Sequence, residues 1–171
     1  MPTAVVSAAF DPATDAVVER LREGVEAAGH RVRRAHRPHL TLAAARVDDV
    51  ESVAALTREI AARHAPIPLT MSGLGSFPSG VLFVATQALP QLQELQRDAY
   101  DTLTARWPPA FGPQSEPASW VPHVTLATRL PRPALRRLRE IPLERYPATV
   151  DALAVIVVGG QGDSAYEPLR G

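Results

Sequence analysis

Two histidines sit in nearly the same six-residue setting. The first is Pro38-His39-Leu40-Thr41-Leu42-Ala43; about half of the 171-residue chain later comes Pro122-His123-Val124-Thr125-Leu126-Ala127. Only the apolar residue after the histidine differs. An imidazole can take or give a proton near neutral pH, and two at one site supply a general base and a general acid. A threonine hydroxyl can donate to a non-bridging oxygen of a phosphate. Hydrolysis at phosphorus needs this set: a base for the water, an acid for the leaving oxygen, and donors for the developing charge. Two histidines sharing one proton predict a bell-shaped pH dependence, peaking somewhere around pH 6–8 from imidazole's ordinary value of about 6.5.

Each copy alternates polar and apolar letters, the period of a strand with one polar face. Each histidine therefore shares a face with its threonine, while Leu40 or Val124 points into the core. A repeat at a half-chain offset predicts two similar lobes, each offering one histidine and one threonine to a common cleft. Arg129 has the same parity as His123 and Thr125 and is expected to reach a bound phosphate if the strand runs that far.

The elements that must carry these motifs follow from the chain in order. Thr3–Phe10 reads as a buried strand, and Asp11-Pro12 opens a helix with Val17, Val18, Leu21 and Val25 inward. The first motif strand covers roughly 38–46, and Asp48 or Asp49 caps a second helix. Residues 67–77 and 81–86 read as an antiparallel pair across Pro78-Ser79-Gly80. A third helix follows Pro90, and the proline-rich stretch 107–119 reads as a long loop of the kind often used for function. The second motif strand is expected over 121–130, a short helix from Pro133, a central strand over 149–158 and a last strand over 165–169. Together these predict an α+β fold: one bilobal domain over 1–171, whose two pseudo-symmetric lobes have antiparallel sheets, flanked by helices around a central cleft.

Composition narrows the classes. Formal net charge is zero, so any contact with nucleic acid must come from a local patch. All basic residues are arginine, a bias that reads as genome composition. Absence of cysteine excludes disulfides, thiolate metal sites and a cysteine nucleophile. No apolar run approaches the ~20 residues of a membrane span, and Met1–Phe10 lacks the basic start of a signal peptide. A soluble, cytoplasmic monomer is the expectation.

The doubled Pro-His-apolar-Thr-Leu motif resembles the two-histidine (2H) phosphoesterase superfamily, in its bacterial 2′-5′ RNA ligase-like branch. Gly73-Leu74-Gly75-Ser76-Phe77-Pro78 followed by Val81-Leu82-Phe83-Val84 is similar to a hairpin of that branch, and Ala165-Tyr166-Glu167-Pro168-Leu169 resembles its ending. The resemblance covers nearly the whole chain. It implies a phosphodiesterase, free of metal and other cofactors, that acts on 2′,3′-cyclic phosphate ends of RNA or on related nucleotides, with reversible 2′-5′ ligation as a second activity. It also implies roles: His39 as proton donor to the leaving ribose oxygen, His123 as the base for water, Thr41 and Thr125 on the phosphate. The family's second motif often continues Thr-Leu-Ala-Arg. Here Thr128 intervenes before Arg129, which shifts the arginine to the other strand face relative to that pattern.

Other features carry competing readings. Arg31, Arg33, Arg34, His36 and Arg37 form a basic run that either steers RNA or is a solvated face. Phe77, Trp120 or Phe111 is placed to stack on a base or to pack a loop; Phe77 is the one taken as substrate-binding. His30 and His64 fall near predicted helix C-termini, where an imidazole suits the helix dipole. A zinc site of His36, His39 and His123 lacks an accompanying carboxylate or cysteine. Rival functions are hydrolysis of 2′-5′-linked oligonucleotides or another small nucleotide, and an RNA-end binding module with little turnover.

Overall fold

The computed structural model describes residues 1–171. Twelve elements follow one another: β1 (Thr3–Phe10), α1 (Pro12–Ala27), β2 (His39–Arg46), α2 (Val50–Ala61), β3 (Ile67–Phe77), β4 (Val81–Thr86), α3 (Pro90–Thr104), a 3₁₀ turn (Pro113–Ser115), β5 (His123–Ala127), α4 (Arg132–Arg139), β6 (Tyr146–Val157) and β7 (Ala165–Pro168). Helix starts follow their capping chemistry. The Asp11 carboxylate accepts from Thr14 N at 2.7 Å with proline next in the chain, and Asp49 accepts from the Glu51 and Ser52 amides. No helix is long and apolar enough to cross a membrane.

All strand pairs are antiparallel, in the order β1-β2-β5-β4-β3-β6-β7, with β1 also paired to β6. The fold is α+β in two lobes, as expected. Two links join the lobes. Strand β6 pairs its first part with β3 and its second part with β1, so one continuous strand serves both. The other link is a single residue pair, Leu40 with Val124, between the two motif strands. One apolar core runs through both lobes and contains Leu40, Leu42, Val124 and Leu126.

Two strand boundaries differ from expectation. β6 starts at Tyr146 because residues 146–150 find partners on β3, a long-range pairing that local pattern does not reveal. β5 covers only His123–Ala127. Pro122 has no N–H for a ladder, and at the far end Arg129 turns left-handed with φ 60° while the Leu130 amide donates to Gly80 O at 3.0 Å. The chain thus leaves the sheet two residues after Ala127.

The helices cross over between halves. α1, from the first half, packs on β5, and α3, from the second half, packs on β2. Each motif strand is therefore covered by a helix from the opposite half of the sequence. The long loop after α3 is also tied down along β2: Arg46 N donates to Pro108 O and Ala110 N to Ala44 O. Buried Gln96 donates from Nε2 to Leu42 O and Ser115 O, which closes the attachment.

Candidate active site

The single Leu40–Val124 match sets the geometry of the site. In an antiparallel pair, the residues flanking that match place His39 across from Thr125 and Thr41 across from His123. Leu40 and Val124 are fully buried, while the two histidines and two threonines are half-buried on the opposite, cleft-facing side. His39, Thr41 and Thr125 line one arm of the cleft, and His123 with Thr41 lines the other. Thr41 and Phe111 line both arms, so the four motif residues lie along two adjoining pockets. The arms measure about 320 and 560 Å³, within the range of small-ligand sites.

The two imidazoles are held alike. His39 Nδ1 lies 2.7 Å from Arg37 O, and His123 Nδ1 lies 2.7 Å from Val121 O, each the carbonyl two residues upstream. A carbonyl can only accept, so each Nδ1 carries the hydrogen and donates it. Nε2 is then the free nitrogen of both rings, able to accept a proton or, when charged, to give one. Burial disfavours the charged ring and holds both pKa values below the ordinary imidazole range, with the carbonyl bonds opposing the shift. Arg22 and His36 add to the depression at His39, and Asp163 works against it.

Beside the single match, side chains reach both threonine carbonyls. Trp120 Nε1 donates to Thr41 O at 2.9 Å, and Arg22 Nη2 donates to Thr125 O at 3.2 Å. Arg22 is 4% exposed, pairs with Glu19 at 2.6 Å, and has an Nε without a partner. Sequence reasoning missed Arg22. Its signal was an arginine inside the apolar stripe of α1, between Val18 and Val25.

Phe77 also stands in the site, its ring meeting the His123 ring edge-on at 4.9 Å. Phe83 lies behind both, 4.5 Å from Phe77 and 5.4 Å from His123. Opposite Phe83 on β3 is Gly75, where a Cβ would stand 2.4 Å from the Phe83 ring. The absent side chain leaves room for the Phe83 ring, which packs against His123 at a tilt of 59°. Trp120 and Phe111 face the same arm as Phe77.

Arg129 is not part of this cleft. The strand parity that would have put it beside His123 ends at Ala127, and the residue instead lines a neighbouring groove with His30, Arg31, Arg33 and Thr128. Within the basic run, Arg34 pairs with Glu19 and Glu26, and Arg37 pairs with Asp15 and lies over the Tyr166 ring. His36 meets Gly162 O and lines the His39 arm. His64 binds Asp98 at 2.7 Å, away from the cleft. No group of three His, Asp or Glu side chains is placed to hold a metal ion.

A cleft with two free Nε2 atoms and two threonines can move two protons and bind an oxyanion between them. Comparison with known proteins gives the family and the fold. Residues 10–162 match the 2′-5′ RNA ligase superfamily. No curated protein matches the chain by sequence. Among solved structures, TT0787 of Thermus thermophilus is similar over 100% of this chain and 99% of its own, at 19% identity and a TM-score of 0.65. A protein described as a phosphoesterase is 18% identical over 99% of both chains, with a TM-score of 0.63. E. coli LigT, in its complex with 3′-AMP, is 20% identical over 99% of this chain and 97% of its own, with a TM-score of 0.58.

Proposed function

The chain belongs to the 2′-5′ RNA ligase superfamily of two-histidine phosphoesterases, and from that premise we propose that it opens 2′,3′-cyclic phosphate ends of RNA or nucleotides to 2′-phosphates without a metal, and reversibly joins RNA ends 2′-5′ when a 5′-hydroxyl takes the place of water. The observation that carries this is the matched pair of imidazoles, each anchored through Nδ1 with Nε2 free, across from each other's threonine. E. coli LigT, similar in fold, is crystallised with 3′-AMP, which fits a nucleotide substrate here.

His123 Nε2 takes a proton from water as the water oxygen attacks phosphorus. The bond from phosphorus to the 3′ oxygen breaks on the opposite side, and His39 Nε2 gives that oxygen its proton. The 2′ ester bond stays intact, so the product is a 2′-phosphate. Ligation replaces water with the 5′-hydroxyl of a second RNA end. Thr41 and Thr125 donate to the non-bridging oxygens. Because burial, Arg22 and His36 disfavour a charged His39, the negative phosphate of the bound substrate is what holds its proton in place. Phe77 braces the His123 ring and offers a face to the base.

The test is incubation with adenosine 2′,3′-cyclic phosphate and identification of the product. Turnover to the 2′-phosphate, lost ~10²–10⁴-fold in His39→Ala and in His123→Ala, is the expected result. A 3′-phosphate product would overturn the assignment of His39 as donor to the 3′ oxygen. A folded His123→Ala protein at near wild-type rate would overturn the mechanism.

A further inference from the structure

Formal charge is balanced over the whole chain, yet it is not balanced around the cleft. Where the chain leaving α1 passes the turn after β5, a groove of about 480 Å³ is lined by His30, Arg31, Arg33, Thr128 and Arg129, and by no acidic residue. Arg31, Arg33 and Arg129 make no ion pair and no side-chain hydrogen bond, whereas Arg34 and Arg37 of the same run are both held by carboxylates. Three arginines left unneutralised side by side repel one another unless an anion joins them.

Two further observations tie the groove to the cleft. Arg33 and Thr128 line both, so the groove adjoins the arm that holds His39. Arg129 adopts φ 60°, the only non-glycine residue with positive φ, in a conformation that costs free energy for an arginine. That backbone is clamped by the Leu130 amide on Gly80 O, at a glycine whose Cβ would press on Leu130 O at 3.0 Å. The fold thus accepts strain to turn this arginine out of the strand and into the groove.

We infer that the groove holds the backbone phosphates of the RNA strand that precedes the reacting end. This rests on the proposed function and narrows its substrate to oligonucleotide ends rather than free cyclic mononucleotides. With His39 on the leaving ribose, that ribose occupies the His39 arm. The strand attached to it then has its exit past Arg33 and Thr128 to Arg31 and Arg129, where guanidinium groups meet successive phosphates.

The experiment compares adenosine 2′,3′-cyclic phosphate with an eight-nucleotide RNA ending in the same cyclic phosphate, on the full chain and on Arg31→Glu and Arg129→Asn. Asparagine tolerates the left-handed backbone, so the second variant keeps the turn. Arg31→Glu is expected to lower kcat/KM for the oligonucleotide at least ~10-fold through KM and to leave the mononucleotide within ~2-fold. The slope of log kcat/KM against log salt should flatten by about 0.7 for each phosphate that the variant no longer neutralises. Anisotropy of a labelled oligonucleotide ending in a 2′-phosphate reads the groove without chemistry. Salt-sensitive binding that Arg31→Glu weakens, without turnover of either substrate, would keep the groove and overturn the proposed function. Oligonucleotide binding or turnover that neither variant changes would overturn the groove.

Discussion

Gly75→Ala adds one methyl group and tests how His123 is supported. The new Cβ would lie 2.4 and 2.5 Å from two atoms of the Phe83 ring, where ordinary contact begins near 3.4 Å. The ring must therefore move by about an ångström, and it packs against both Phe77 and His123. Overpacking of this kind costs about 1–3 kcal/mol. At ~2–4 °C per kcal/mol for a chain of this size, the melting midpoint should fall by ~2–12 °C. Displacing a reacting group by about 1 Å can cost on the order of 100-fold in rate, so kcat/KM for a 2′,3′-cyclic nucleotide should drop on the order of 10- to 100-fold. Gly24→Ala is the control: the same methyl group lands on the exposed face of α1 with nothing within 4 Å. There the change should stabilise by roughly 0.5–1 kcal/mol and leave turnover alone. Thermal melts and steady-state kinetics on both proteins decide it. Opposite signs for the same substitution are expected; a Gly75→Ala enzyme that melts and turns over like wild type would refute the claim that Phe83 packing positions the histidine.

Other outcomes follow from the site. Burial lowers both histidine pKa values in the free enzyme, so the singly protonated pair is most populated on the acid side of about 6.5. The kcat/KM bell should therefore peak below that value and fall as pH rises through neutrality, while the kcat bell, read with the phosphate bound, should lie higher; coincident bells centred above pH 7 would contradict the burial argument. The same depression means the unfolded chain binds more protons than the folded one between the two sets of pKa values, so stability should rise as pH climbs towards about 6.5 and then level off, checked by denaturant midpoints in His39→Gln and His123→Gln, which should each flatten the rise. Thr41→Ala and Thr125→Ala should each cost on the order of 10- to 10³-fold in kcat/KM by loss of a phosphate donor, measured on folded protein. With both proton transfers assigned to histidines, turnover should survive exhaustive chelation; loss that zinc or manganese restores would point to metal-assisted chemistry instead.

What the sequence determined by itself was local and periodic. Alternation in the two motifs placed His39 with Thr41 and His123 with Thr125 on one strand face, while capping chemistry set the start of α1 at Asp11 and narrowed that of α2 to Asp48 or Asp49, of which Asp49 is the cap. The hairpin over 67–77 and 81–86 was equally legible, because it joins neighbours close in the chain, and the motif repeated at a half-chain offset announced the two lobes. Long-range pairing was not. The Leu40–Val124 match sets His39 across from Thr125, and nothing in either motif encodes that register. Likewise α1 covers β5, which brings Arg22 to the carbonyl of a threonine 103 residues away, and Trp120, from the loop before β5, reaches that of one 79 residues away. Arg129 shows the limit most sharply. Strand parity assigned it to the catalytic face, but Gly80, from a distant turn, holds Leu130 and rotates the arginine out of the strand. Local pattern fixes which face a side chain takes while a strand lasts; where the strand ends is decided by hydrogen bonds to residues the pattern does not contain.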